Sequence, residues 1–165
     1  MIAKKICMLG AFSVGKTSLV EHYVHAHFSE EYLSTVGVRI SKKQISNYGP
    51  EVSLVFWDME GKDDYSDVSL SYLRGSAGVF FVADGLRRET LTVALDLHAA
   101  AAQSLYGVAQ ILLINKADRR DQWEITEKDQ AAAEKLGLKV FLTSAKTGEN
   151  VDAAFDALAG AMLAP

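Results

Sequence analysis

A chain of 165 residues has the length of one domain, and a composition of 49% hydrophobic and 23% charged residues with two prolines is that of a globular protein. A net charge of −4, with no basic cluster beyond the pairs Lys42-Lys43 and Arg87-Arg88, speaks against a nucleic-acid partner. The single cysteine, Cys7, excludes an internal disulfide and a cysteine-based metal cluster, and the longest apolar run, AGVFFVA at 77–83, falls far short of the ~18 residues of a membrane helix.

In chain order, the first predicted strand is IAKKICMLG, 2–10. It leads into the helix-period segment KTSLVEHYVHAHF at 16–28. Strands follow at VRISKKQIS, 38–46, and VSLVFW, 52–57; the Asn, Gly and Pro of the intervening SNYGPE suit a turn, so these two should form an antiparallel hairpin at one edge. A helix at roughly 64–74 precedes the strand AGVFFVAD, 77–84, and RRETLTVALDLHAAAAQSLYG, 87–107, is a helix ending at Gly107. The strand AQILLIN, 109–115, the helix TEKDQAAAEKLG, 126–137, the strand LKVFLTS, 138–144, and the helix NVDAAFDALAGAML, 150–163, complete the chain. Thr126 and Asn150 read as N-caps, and Gly137 as a C-terminal stop. Apolar strands alternating with helices predict one α/β domain over 1–165, a six-stranded, mostly parallel sheet with one antiparallel edge hairpin and about five flanking helices. The N-terminus has no secretory apolar segment, Ile2 does not fit a myristoylation signal, and the C-terminus offers no cysteine for prenylation; a cytoplasmic chain without a lipid anchor is expected.

GAFSVGKT, Gly10–Thr17, follows the first strand, opens the first helix and matches G-x-x-x-x-G-K-[ST]. Its glycines let successive N–H groups face an anion, Lys16 adds a charge for terminal phosphates, and the Thr17 hydroxyl suits Mg²⁺. The third strand-like run stops on a carboxylate, Asp58, before the acidic stretch of Glu60, Asp63, Asp64 and Asp67, which reads as a solvated loop. NKAD, Asn115–Asp118, and TSAKTG, 143–148, leave the fifth and sixth strands at the carboxyl edge, where open α/β sheets bind ligands. There Asp118 can accept two hydrogen bonds from guanine, a pair that adenine cannot present, and the Ala145 N–H should lie beside it. His22, His25 and His27 lack a carboxylate partner to complete a metal shell and read as helix surface.

GAFSVGKT, Thr35 in STVG, Asp58–Gly61 in WDMEG, NKAD and Ser144–Lys146 occur in the order and approximate spacing of the Ras-like small GTPases, which the whole chain resembles. STVGV and SYLRGSAG (71–78) are most similar to the Rab branch. The resemblance implies a switch that binds GTP and GDP with Mg²⁺ and hydrolyses GTP. Ser13, Val14, Gly15, Lys16, Thr17 and Ser18 would hold the phosphates, and Thr17, Thr35 and Asp58 the metal. Lys16, Thr35, Gly61 and the residue at 62 would act on the terminal phosphate. Asn115, Lys116, Asp118, Ser144, Ala145 and Lys146 would hold guanine, with Phe28 packing against the base. Effector proteins would read Ile40, Trp57, Tyr72 and the switch loops, and exchange and activating factors are implied as further partners.

Three positions depart from the family pattern. Phe12 is a bulky ring in the phosphate loop, Glu60 replaces a small residue, and Lys62 stands where the water-orienting glutamine is expected. Slow hydrolysis is therefore expected. The alternative is a pseudo-GTPase scaffold that binds guanine nucleotide without effective turnover. A phosphotransferase such as a nucleotide kinase fits less well, because NKAD and SAK would then have no purpose.

Overall fold

The computed structural model describes residues 2–25, 31–33, 38–59 and 71–164, with the backbone alone at 25, 31–33 and 59. Its strands are β1 (Ile2–Gly10), β2 (Glu31–Leu33), β3 (Val38–Ile45), β4 (Val52–Met59), β5 (Ser76–Asp84), β6 (Ala109–Asn115) and β7 (Lys139–Leu142). The described α-helices are α1 (Lys16–His25), α2 (Arg88–Ala100), α3 (Glu127–Glu134) and α4 (Val151–Leu163), and a 3₁₀ helix spans Ala117–Gln122. The predicted helix at 64–74 lies mostly outside the described residues. Among the described residues no helix is long and apolar enough to cross a membrane.

The sheet order is β2-β3-β4-β1-β5-β6-β7. All six expected strands are present and the α/β class is as expected. β3 and β4 pair antiparallel, while β1 with β4 and β5, β5 with β6, and β6 with β7 pair parallel. The three-residue β2 pairs antiparallel outside β3, so the hairpin does not form the rim and the sheet is one strand wider than expected.

Side chains of the central strands alternate between two buried layers, as a period of two requires. Ile6, Met8, Phe80, Val82, Ile111 and Leu113 face one layer with α1 and α4; Cys7, Leu9, Val79, Phe81, Leu112 and Ile114 face the other with α2 and α3. Such double coverage is why these strands read as continuous apolar runs. Phe155 of α4 centres the first layer, with ring centroids 4.5 Å from Tyr23, 4.6 Å from Phe80 and 5.5 Å from Phe56. Thr126 caps α3 as expected: its hydroxyl accepts from the Asp129 N–H, and the Asp129 carboxylate accepts from the Thr126 N–H. Asn150 does not cap α4 with its side chain; it adopts φ 58 and donates to Leu142 O at 2.8 Å, tying the helix entry to β7 instead.

Candidate functional site

β1 ends between β4 and β5, and the chain turns at once into α1. Gly10 is required by close approach, since a Cβ there would lie 2.4 Å from Val82 O. Gly15 has φ +104, and a Cβ there would meet Asn115 Nδ2 at 2.2 Å, so both conformation and space demand glycine. Lys16 Nζ lies back over the loop and donates to Gly10 O at 2.9 Å.

The far wall of the site is built by the end of β6. Asn115 is only 3% exposed, and its amide is engaged on three sides: Nδ2 donates to Val14 O at 3.0 Å, while Oδ1 accepts from Thr143 Oγ1 and the Ala145 N–H, each at 3.2 Å. The Ala145 N–H is thus used by Asn115. Asp118 is joined to the same segment through Ser144, whose buried hydroxyl donates to Asp118 Oδ1 at 2.8 Å and accepts from the Thr147 N–H at 3.1 Å. Asn115 thus ties the phosphate loop and the segment after β7 to the end of β6. Between them lies a pocket of about 400 Å³ lined by Gly15, Ser18, Asn115, Lys116, Asp118, Arg119, Ala145 and Lys146. Sequence reasoning did not single out Arg119.

The predicted metal residues Thr17 and Asp58 meet: Thr17 Oγ1 donates to Asp58 Oδ2, and Asp58 is 2% exposed. A hydroxyl and a carboxylate beside a phosphate loop form a hard oxygen donor set, which fits Mg²⁺ completed by phosphate oxygens and water. Among the described residues no group of three or more His, Cys, Asp or Glu could hold a metal alone. The expected contributions of Phe28, Thr35, Glu60, Gly61 and Lys62 lie outside the described residues.

A family model described as the Ras family matches residues 5–164. The chain belongs to the Ras family. It is 32% identical over 156 residues to Ras-related protein Rab-3C of Bos taurus, a match covering 93% of this chain and 69% of that protein. It is also 32% identical over 160 residues to Ras-related protein Rab-3B of Homo sapiens, with 96% and 73% covered, and 31% identical over 156 residues to GTP-binding protein Rab-3D of Rattus norvegicus, with 93% and 71% covered. The similarity read from the motifs is borne out, including its Rab wording. Membership makes the site that of a GTP-binding switch of the small GTPase type.

Two features of this Ras-family chain differ from what its sequence suggests. Ile40, Trp57 and Tyr72 were expected as a surface for effectors, yet Ile40 is 5% and Tyr72 7% exposed, and Trp57 is half-buried. The Tyr72 hydroxyl donates to Trp57 O, and Lys5 Nζ sits 3.8 Å above the Trp57 ring while donating to Tyr72 O at 2.6 Å and Arg74 O at 2.9 Å. The cation covers the face of the indole from the sheet side. Burial accordingly pushes the Tyr72 phenol up and the Lys5 ammonium down from their ordinary ranges.

The second feature is Asp84, the last residue of β5, which the sequence reading passed over. It is 1% exposed and pairs with Lys116 Nζ at 2.9 Å and Arg87 Nε at 3.0 Å, while Oδ1 accepts from the Leu86 N–H at 2.9 Å. Burial raises the pKa of this carboxyl, but the bonds from Lys116, the Leu86 N–H and Arg87 outweigh it and hold it below the ordinary range. Thr90 locks the loop that follows, accepting from the Asp84 N–H at 2.8 Å and donating to Arg87 O at 2.7 Å. The signal in the sequence was an acid ending an apolar strand, the same signal that marked Asp58.

Proposed function

We propose that the chain is a guanine-nucleotide switch that binds GTP and GDP together with Mg²⁺ and hydrolyses GTP slowly. The observation that carries this reading is the joining of the phosphate loop, NKAD and SAK segments around one pocket by the three bonds of Asn115. The phosphate-loop amides and Lys16 hold the phosphates, while Asp118 selects guanine through paired acceptance of two N–H groups. Thr17, Asp58 and Thr35 hold the metal, which when bound supplies charge stabilisation to the terminal phosphates. Lys62 has donors only and cannot accept from an attacking water, so the step that positions this water is poor. Effectors read the segments around Thr35 and Asp58–Gly61, whose arrangement follows the presence of the terminal phosphate. Such a switch works in the cytoplasm.

A pseudo-GTPase scaffold is the second reading. It is favoured by Lys62 and by Phe12, whose ring is 53% exposed at the phosphate loop and takes up space there. The test is to release the nucleotide carried by the purified protein and identify it by chromatography. GDP supports a working hydrolase, GTP supports a slow or inactive one, and ATP would sink both readings.

A further inference from the structure

Three consecutive carbonyls of the phosphate loop are held from outside the loop. Arg87 Nη2 donates to Phe12 O at 2.8 Å, Lys116 Nζ to Ser13 O at 3.4 Å, and Asn115 Nδ2 to Val14 O at 3.0 Å. Two of these three donors are cations, and both rest on one buried carboxylate oxygen, Asp84 Oδ2. A trans peptide carries its C=O and the following N–H on opposite edges of one plane. Turning the carbonyls of 12, 13 and 14 outward therefore turns the N–H groups of 13, 14 and 15 inward, as an anion-binding nest requires.

We propose that Asp84 and Arg87 are positioning residues for the phosphate loop: Asp84 anchors Arg87, and Arg87 holds the Phe12–Ser13 peptide so that its N–H faces the terminal phosphates of a bound guanine nucleotide. This rests on the nucleotide reading above. The planar guanidinium suits the task because its Nε and Nη2 bond Asp84 and the loop at the same time, whereas an ammonium is a single point charge. Asp84 and Thr90 fix the backbone of 84–87, so the Arg87 side chain starts from a defined origin. Two cations on one carboxylate also leave a net positive charge behind the loop, favourable to an anionic guest. Gly15 and Ser18 line the base pocket whereas Phe12, Ser13 and Val14 do not, which on the nucleotide reading puts the peptides of 12–14 with the phosphates rather than the base.

This placement predicts an effect on the terminal phosphates and none on the base. Dissociation constants of GDP and GMP are measured by competition for wild type, Arg87→Ala, Arg87→Lys and Asp84→Asn, with thermal unfolding of each variant. Arg87 is a partly exposed side chain, so Arg87→Ala keeps the test open if Asp84→Asn fails to fold. Loss of a charged hydrogen bond predicts that Arg87→Ala weakens GDP binding ~10-fold while GMP binding stays the same. Arg87→Lys should recover part of this loss, and Asp84→Asn should act in the same direction as Arg87→Ala. Equal losses for GDP and GMP would reduce Arg87 to general support of the fold, and unchanged GDP binding in Arg87→Ala would remove its role; either result overturns the proposal. If wild type binds no GDP, the nucleotide reading falls with it.

Discussion

Asn115 is the residue whose removal should reveal how the site is built. Its three bonds join the phosphate loop to β6 and to the segment after β7, from a position 3% exposed. Asn115→Ala strands Val14 O, the Thr143 hydroxyl and the Ala145 N–H, so at ~1 kcal/mol for each bond the loss is about 3 kcal/mol. For a domain of this size that corresponds to a drop of roughly 6–12 °C in Tm, read by circular dichroism without nucleotide. Asn115→Asp is more informative, because it keeps the Oδ1 acceptor and the volume but turns an oxygen toward Val14 O. The ionised form repels that carbonyl in a buried site, whereas the protonated form can donate to it. The deficit of this variant relative to wild type should therefore shrink as the pH falls toward 5. A Tm change below ~2 °C for Asn115→Ala would refute the reasoning, since three buried partners cannot all lose a bond at so small a cost.

Asp118→Asn should weaken GTP binding and shift preference toward xanthine nucleotides, whose position-2 carbonyl needs a donor; equal affinity of the wild type for ATP and GTP would remove the assignment. Thr17→Ala should blunt the dependence of nucleotide release on Mg²⁺, and unchanged release on chelation would show that Thr17 is not a ligand. Lys62→Gln should hydrolyse GTP faster than wild type, whose single-turnover rate should be at or below ~10⁻⁴ per second. A wild-type rate near ~10⁻² per second that falls on this substitution would make the lysine catalytic.

The strands were legible because burial on both faces leaves continuous apolar runs, and the phosphate loop because glycine, lysine and threonine meet at one strand-to-helix turn. Glu31–Leu33 was not legible as a strand. Three residues cannot display a period, and EYL is held in the sheet by its antiparallel pairing with Ser41–Arg39, a tertiary contact with no local trace. The cap at Thr126 was readable because the partner lies three residues away. Asn150 does occupy the N-cap position, but its amide bonds Leu142 O, at the end of a strand, rather than a helix N–H, which no local pattern announces. The packing of Ile40, Trp57 and Tyr72 was not legible for a similar reason: the lysine that lies over Trp57 comes from β1, more than fifty positions away.

Asp58, Asp84 and Asn115 show where sequence reading could be extended. Each lies at or next to the carboxyl end of an apolar strand, each is buried, and each is linked, directly or through another side chain, to a different part of the segment that follows β1. Asp58 meets Thr17 directly, Asn115 meets Val14 directly, and Asp84 reaches Phe12 and Ser13 through Arg87 and Lys116. Asp58 pairs with Met8, Gly10 pairs with Val82 and Asp84 pairs with Asn115, so Asp58 stands two residues before the end of β1 in register and Asp84 and Asn115 two residues beyond it. A buried carboxylate is costly unless paired, so an acid ending an apolar strand already implies a partner cation or a ligand from another loop. For Asp58 the neighbouring motif made that inference easy. For Asp84 the same inference was available from the sequence, because Arg87 lies three residues on; the second cation, Lys116, follows its register partner Asn115 and meets it only in the folded sheet. Polar residues at the carboxyl ends of apolar strands should therefore be treated as one set facing one site, even when only some of them lie in a recognised motif.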